Sequence, residues 1–217
     1  MNEDLQNKPV DYVVSSAKGI LGAIPVFGPL VAELVGNVIP NQRIDRLVKF
    51  FQILGNKLQH LEKEFVEYKM KNELFIDLLE DCLWASTRAL TDERKEYIAN
   101  LFVQGLKAEK GELLNHKKLL QILNQIDEID LLILIFLVNK YNKKIDVAED
   151  YRQKIYSVLD PENPNSKELI YTRQKFLDSL GLVVAINMTD ETEDEILFSK
   201  PRALAIMLLN EINNYGK

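Results

Sequence analysis

The sequence predicts a mainly α-helical protein, and three observations support this fold class. Apolar residues recur at alternating intervals of three and four from Ile44 onward, which is typical of a helix that packs along one face. Eight consecutive apolar residues, Leu131 to Val138, lie between acids and lysines, as expected for a buried helix whose dipole is compensated. Strand-like runs, LVVAINM and EILFSK, occur only near the end of the chain.

We divide the chain into three regions. Residues 1–40 form a polar start followed by an apolar helical hairpin that is broken by glycine and proline. Residues 41–142 form a helical bundle with a long heptad helix, and residues 143–217 form a winged-helix-like α/β module. In this C-terminal module a pair of helices precedes the strand-like runs. Gly181 ends the second of these helices, because glycine readily adopts the left-handed conformation at a helix C-terminus.

Composition limits the classes of function. Of the 217 residues, 47% are hydrophobic and 28% are charged, which is ordinary for a globular protein. The net charge of -6 provides no general attraction to nucleic acid, and the single cysteine, Cys82, excludes an internal disulfide or a cysteine-rich zinc site. The start, MNEDLQNKPVDYVV, lacks a secretory pattern, so we expect a cytoplasmic protein or one peripheral on the inner face of the membrane.

The segment GILGAIPVFGPLVAELVGNVIP, residues 19–40, has an unusual composition. It holds four of the 9 glycines and three of the 7 prolines, and Glu33 is its only charged residue. Proline interrupts a helix, so Pro25 and Pro29 favour two short apolar helices around a turn. A simple membrane-spanning helix needs about 20 residues, and neither piece is that long.

Two interpretations of this segment remain open. It is either a hairpin that associates with a membrane, where broken helices are tolerated if neighbours satisfy their backbone groups, or a compact hairpin buried in the fold or at a dimer interface. In the first interpretation the membrane-contacting residues are Ile20, Leu21, Ile24, Val26, Phe27, Leu30, Val31, Leu34 and Val35.

The heptad helix has a continuous apolar seam that must pack on another helix, in the same chain or in a second copy. We therefore expect a homo-oligomer. Basic residues between the seam positions either hold the helix against anionic head groups or form a solvated flank; they are Arg43, Arg46, Lys49, Lys57, Lys63, Lys69 and Lys71. The oligomer seam comprises Ile44, Leu47, Phe51, Leu54, Leu58, Leu61 and Phe65, with Tyr68 beyond it.

We predict no catalytic, metal-binding or cofactor-binding residues. Two carboxylate groups, Asp77 with Glu80 and Asp81, and Asp127 with Glu128 and Asp130, occur at helical spacing. Carboxylate pairs serve in general acid–base catalysis, but neither group has a histidine or a glycine-rich turn nearby. We expect a solvated face and a helix start, respectively. Cys82 and Trp84 are predicted core residues, and His60 and His116 are predicted surface residues.

The C-terminal module is not expected to bind nucleic acid. Its second helix carries Lys167, Arg173 and Lys175, but its supposed wing tip, residues 190–195, is strongly acidic. Phosphate contacts dominate the affinity for nucleic acid, and an acidic wing would repel phosphate. We therefore expect residues 143–217 to contact a protein partner.

The order of four segments carries a resemblance to a known family. IPVFGPLVAELVGNVIP is followed by NQRIDRLVKFFQILGNKLQ, then by ALTDERKEYIANLFVQGL and by FLDSLGLV near the end. This layout resembles the Abi-alpha type of bacterial helical protein, which is associated with abortive infection and mobile defence islands. The resemblance covers most of the chain by layout, and it implies a cytoplasmic or membrane-peripheral protein.

These observations lead to one functional hypothesis and one alternative. The hypothesis is a non-enzymatic, membrane-associating effector in bacterial phage or stress defence. The alternative is a soluble helical scaffold or regulatory protein-interaction module that dimerises through its heptad helix.

Overall fold

The prediction of a mainly α-helical protein is confirmed. The computed structural model describes residues 43–160, 162–184 and 199–213. The nine predicted membrane-contacting residues, and the hairpin that contains them, lie outside these ranges. The described residues form nine helices and one pair of short strands: α1 (Ile44–Leu58), α2 (Lys63–Lys69), α3 (Glu73–Arg88), α4 (Asp92–Lys107), α5 (Lys110–Leu123), α6 (Glu128–Tyr141), α7 (Ile145–Val158), α8 (Pro164–Ser179), β1 (Val183–Val184), β2 (Lys200–Pro201) and α9 (Ala203–Asn213).

The described residues belong to two compact units. Unit 1 comprises those up to Gln121 together with residues 211–213, and unit 2 runs from Ile122 to Asn210. The boundaries fall within α5 and α9, whereas the sequence suggested a boundary near residue 142.

Unit 1 is built around α1, α3 and α4, each of which packs against the other two. Its core contains Phe50, Phe51 and Phe102, all with 0% exposure. Thr91 starts α4, because its Oγ1 accepts a hydrogen bond from the Arg94 amide at 3.2 Å, as expected of an N-cap. A side chain at Gly105 would place its Cβ 2.6 Å from Leu78 Cδ2, so any larger residue there would force the Leu78 side chain to move.

The prediction of one long heptad helix is wrong. α1 ends at Leu58, and α2 begins at Lys63 after a non-helical link. The break allows α2 to bury Val66 and Met70, which are not seam residues, so tertiary packing overrides the heptad period. The first five seam residues are buried within this one chain, whereas Leu61 and Phe65 are half-buried and Tyr68 is exposed.

Unit 2 is centred on α6, which packs closely against α7 and also contacts α8 and β2. The predicted buried helix is confirmed, because Leu131 and all six residues from Ile133 to Val138 are buried. The strands pair antiparallel, with Val183 opposite Pro201 and Val184 opposite Lys200. The remainder of the two strand-like runs lies outside the described residues.

The predicted end of α8 at Gly181 is also confirmed. Gly181 has a φ of 74°. Its amide donates to the Asp178 carbonyl at 2.8 Å, and the Leu182 amide donates to the Leu177 carbonyl at 3.0 Å. These two bonds define a Schellman motif.

Candidate anion-binding surface

An open cavity of about 500 Å³ lies where α2 meets α3 in unit 1. This volume is within the range of about 300–1,000 Å³ that is usual for small-molecule sites. Among the lining residues that the structure describes, two are lysines and none is an acid, so its electrostatic preference is for an anion. We name this lining the cavity surface; it consists of Tyr68, Lys69, Lys71, Asn72 and Phe75.

The local sequence positions the cavity surface. Burial of Val66 and Met70, with 1% and 0% exposure, anchors α2 and its C-terminus in the core. Asn72 then starts α3, since its Oδ1 accepts a hydrogen bond from the Leu74 amide at 3.0 Å. Phe75 is in the first turn of α3 and is buried, so its ring forms the inner wall of the cavity.

Lys69 is held at the edge of this cavity by three contacts. Its Nζ donates to the carbonyl oxygen of Ala108 at 3.0 Å. Ala108 is the C-cap of α4, so the ammonium lies at the negative end of that helix dipole. Nζ also lies 5.0 Å from the ring centroid of Phe75 and 5.4 Å from that of Phe65, within cation–π range. The charge of Lys69 is therefore fixed in position.

Tyr68 and Lys71 form the outer rim. Tyr68 is 72% exposed, and the exposed Lys71 makes no ion pair within the described ranges. A tyrosine ring beside a lysine is a combination enriched at membrane–water interfaces, where the ring enters the head-group layer and the ammonium meets anionic groups. The rim can therefore bind an anionic group that carries apolar surface beside it.

Most of the other basic residues predicted between the seam positions have interaction partners within the chain. Burial lowers the pKa of Lys57, and the charge of Glu96 opposes that shift. Three other basic side chains have partners inside unit 1: Arg46 Nη1 with the Thr87 carbonyl at 3.2 Å, Lys49 with Asp92 at 3.5 Å, and Lys63 with Glu67 at 3.6 Å. These basic residues thus do not form a continuous, freely available cationic face.

The first carboxylate group is part of a surface ion-pair cluster. Lys117 Nζ contacts Asp77 and lies 3.3 Å from Asp81 Oδ2. Partial burial of Lys117 opposes its charge, but the hydrogen bond to Asp77 and the charge of Asp81 raise the pKa of this lysine overall. The two carboxyl groups are 51% and 42% exposed, as expected for a solvated face.

The second carboxylate group starts α6, as predicted. Asp127 Oδ1 accepts from the Asp130 amide at 2.9 Å, and Asp130 Oδ2 accepts from the Asp127 amide at 3.1 Å, which is a reciprocal capping box. Arg173 of α8 donates through Nη1 to both acids, at 2.7 Å and 2.8 Å. Asp130 is only 4% exposed. Arg173, one of the three cations noted in the sequence of α8, therefore pairs with acids inside unit 2.

The two aspartates respond differently to this environment. Burial raises the pKa of Asp130, although the Asp127 amide and Arg173 stabilise its charged form. Asp127 is less buried. Despite the opposing effect of burial, the Asp130 amide and Arg173 lower the pKa of Asp127. Both acids thus act as structural partners of one arginine.

The prediction that both histidines lie on the surface is half wrong. His60 is exposed, whereas His116 is 5% exposed. His116 Nδ1 lies 3.1 Å from the Glu112 carbonyl oxygen, and Nε2 lies 3.4 Å from Glu211 Oε2. Spacings of three from Leu113 and to Leu119 place His116 on the apolar face of α5, and this signal was available in the sequence.

Cys82 is confirmed as a core residue, while Trp84 is half-buried. Burial raises the pKa of the Cys82 thiol well above its usual range, with the charge of Asp81 adding to the shift and that of Lys117 opposing it. A buried thiol of this kind is chemically inert.

Metal-ligand clusters and membrane-spanning helices are both absent from the described ranges. No group of three histidine, cysteine or carboxylate side chains there is arranged to hold a metal ion. Among the helices of those same ranges, none combines the length and apolar character needed to cross a bilayer. In comparisons with known proteins, no family model, no curated protein and no solved structure matched this chain.

Proposed function

We propose that this protein is a non-enzymatic, membrane-associating effector that contacts anionic lipid head groups through the cavity surface. The observation that carries the proposal is the fixed cation Lys69 beside the exposed pair Tyr68 and Lys71. In line with the Abi-alpha-like layout of the sequence, we place this activity in bacterial phage or stress defence.

The apolar segment supplies the larger share of the affinity in this proposal. Each lysine near an anionic membrane surface contributes about 1 kcal/mol, so Lys69 and Lys71 together contribute about 2 kcal/mol. Full burial of one Leu, Ile, Val or Phe side chain contributes about 1.5–3 kcal/mol. Insertion of only three of the nine apolar residues between Ile20 and Val35 exceeds the lysine contribution. The segment then sets the strength of binding and the lysines set the preference for anionic lipid.

Vesicle co-sedimentation combined with dye leakage tests this proposal. The full chain is expected to bind vesicles that contain phosphatidylglycerol and to release trapped dye. Phe27→Asp should abolish leakage, because a carboxylate is costly within the bilayer. Lys71→Glu should weaken binding at least tenfold, since it exchanges one favourable charge for a repulsive one.

The matched control is Lys118→Glu, which makes the same charge change at an exposed lysine of α5. It should retain at least half of the wild-type binding. Absence of binding and leakage by the wild-type chain, in every oligomeric state obtained, would remove the proposal.

The alternative function, a protein-interaction module, is supported by α8. Leu169 and Phe176 are 41% and 37% exposed and lie seven residues apart, so they share one face of the helix. We propose that residues 143–217 form a winged-helix-like module that presents this face to a protein partner. Phe176→Asp should then abolish partner binding and leave vesicle binding unchanged.

Self-association also remains a proposal, with a changed surface. Burial of the first five seam residues within one chain leaves Leu61, Phe65 and Tyr68 as the accessible part of the seam. We propose, as an alternative to lipid contact at Tyr68, that a second copy packs there. Tyr68→Glu should shift the chain to the monomer on gel filtration, and an unchanged elution volume would remove this surface from consideration.

A further inference from the structure

The corner between α6 and α7 is exposed throughout. Every residue from 141 to 147 is exposed, and we name this stretch the α6–α7 corner. It includes three large apolar side chains, Tyr141, Ile145 and Val147, with exposures of 61%, 60% and 42%. Exposed apolar side chains mark interaction sites where they share a surface, but Ile145 and Val147 are two residues apart on α7 and so do not share one face.

The backbone of the corner has an unfavourable residue at its central position. Lys143 has a φ of 59°, which places it in the left-handed region that non-glycine residues seldom occupy. Its amide donates to the Lys140 carbonyl at 3.1 Å, and the Lys144 amide donates to the Asn139 carbonyl at 2.9 Å. This is the same Schellman motif that ends α8, where the corresponding residue is Gly181.

A lysine at this position lowers stability relative to glycine or asparagine, which tolerate the left-handed conformation better. The chain has an asparagine at the preceding position, Asn142, where the backbone is not left-handed. Residues held in unfavourable conformations are concentrated at functional positions. The presence of a lysine at position 143 is therefore better explained by a role of its side chain than by the conformation of its backbone.

The charge of the corner is positive. Lys143 and Lys144 lie within it, and Asp146 is its only acid. Lys140 precedes it, and Glu149, which pairs with Arg152, and Asp150 follow it. Neither Lys143 nor Lys144 has an ion-pair partner in the portion of the chain that the structure describes. Lys143 and Lys144, next to the exposed Tyr141 and Ile145, complement a surface that carries anionic groups outside and an apolar layer beneath.

We propose that the α6–α7 corner docks on an anionic lipid bilayer, with Tyr141 and Ile145 entering the interfacial layer and the lysines remaining among the head groups. Such side chains suit this arrangement because tyrosine concentrates at the interface and lysine extends its ammonium toward water. This inference rests on the proposed membrane association but uses residues that are separate from both the cavity surface and the apolar segment.

Lys143→Gly in the full chain tests the proposal without risk of unfolding. Glycine fits the left-handed position, so the thermal midpoint should rise. Binding to phosphatidylglycerol vesicles should nevertheless become about fivefold weaker, the effect of one lysine near an anionic surface. The double variant Tyr141→Ser/Ile145→Ser should weaken binding by more than tenfold, because it removes two of the apolar side chains.

Lys154→Ala is the matched control. It removes one exposed lysine from α7, nine residues beyond Ile145 and therefore about 13 Å along the helix. Its binding should stay within twofold of the wild type. An equal loss of vesicle binding in Lys154→Ala and Lys143→Gly would show that only the net charge of the chain matters. That result would overturn the proposal that the α6–α7 corner docks on the membrane.

Phe27→Asp separates this proposal from the proposed function. If the corner variants bind vesicles like the wild type while Phe27→Asp does not, the proposal for the α6–α7 corner is overturned and the proposal for the apolar segment is supported. If Lys143→Gly weakens vesicle binding while Phe27→Asp binds like the wild type, the proposal for the α6–α7 corner is supported and the proposal for the apolar segment is overturned. A wild-type chain that binds no vesicles overturns both.

Discussion

The two ends of α6 are built in opposite ways. At the N-terminus, Asp127 and Asp130 cap each other's amides, and Arg173 pairs with both carboxylates. At the C-terminus, Lys143 occupies a left-handed position and is surrounded by exposed residues. At the first end two carboxylates pair with one arginine at the boundary of the core, whereas the second end holds a lysine in a strained backbone conformation in the solvent.

This difference separates stability from proposed binding along one helix. The 14 residues of α6 span about 20 Å, so a substitution at one end need not disturb the other. The N-terminal cluster should therefore control the free energy of unfolding, and the C-terminal corner should control association with the membrane. The following predictions test this separation.

Arg173→Met should have the largest effect, lowering the free energy of unfolding by about 2–3 kcal/mol, because it leaves the buried Asp130 carboxylate without its cation. Urea denaturation measures this change. Arg152→Met is the control, since Arg152 pairs with Glu149 where both side chains are 42% exposed, and such pairs contribute less than about 1 kcal/mol. Equal losses in the two variants would contradict the structural role of Arg173.

Gly181→Lys should lower the free energy of unfolding by about 1 kcal/mol, because a lysine would then occupy the left-handed position of the Schellman motif that ends α8, as Lys143 does after α6. Its Cβ would lie 4.0 Å from Leu204 Cδ2, an ordinary contact, so the loss comes from the backbone. A variant as stable as the wild type in urea would show that the left-handed position carries no penalty in this fold.

Lys143→Gly should have the opposite sign and raise the free energy of unfolding by about 0.5–1 kcal/mol, since the strain it relieves is partly offset by the greater flexibility of glycine in the unfolded chain. The same urea measurement applies. A destabilised Lys143→Gly would mean that the Lys143 side chain stabilises the fold, and the contrast between the two ends of α6 would fail.

Asp127→Asn should have the smallest effect, and one that depends on pH. Asparagine also caps a helix, so only the charge is lost. Interactions with the Asp130 amide and Arg173 lower the pKa of Asp127 below its ordinary value of 3.8. Its charge therefore stabilises the folded chain above that pH, and the contribution disappears as pH falls through the folded pKa. We expect a difference of a few tenths of a kcal/mol at neutral pH, since this carboxyl is half exposed. A difference that stays constant down to low pH would contradict this account.

Local patterns in the sequence predicted much of the fold. The buried run of α6 and the Gly181 end depend on neighbouring residues, and both are confirmed. The heptad helix was predicted from period alone, but burial of Val66 and Met70 ends that period after Leu58. Whether the heptad helix continues or breaks is decided by packing between segments distant in sequence. The period of one segment carries no information about that packing.

The candidate surfaces were less accessible to sequence reasoning. Lys69 and Lys71 were singled out as basic residues, but the contact of Lys69 with Ala108 joins positions 39 residues apart. The ion pairs of Arg173 were not predicted, because its partners lie more than 40 residues away. The α6–α7 corner contains the lysines and apolar residues in plain sequence, whereas the left-handed backbone of Lys143 emerges only from the structure.

Equilibrium co-sedimentation of the full chain with vesicles of graded phosphatidylglycerol content measures whether the chain binds anionic membranes. We expect binding that increases steeply with the anionic fraction and weakens with salt, because the lysines at Lys69, Lys71 and the α6–α7 corner contribute charge while apolar residues anchor the chain. A chain that stays in the supernatant at every lipid composition would contradict the account.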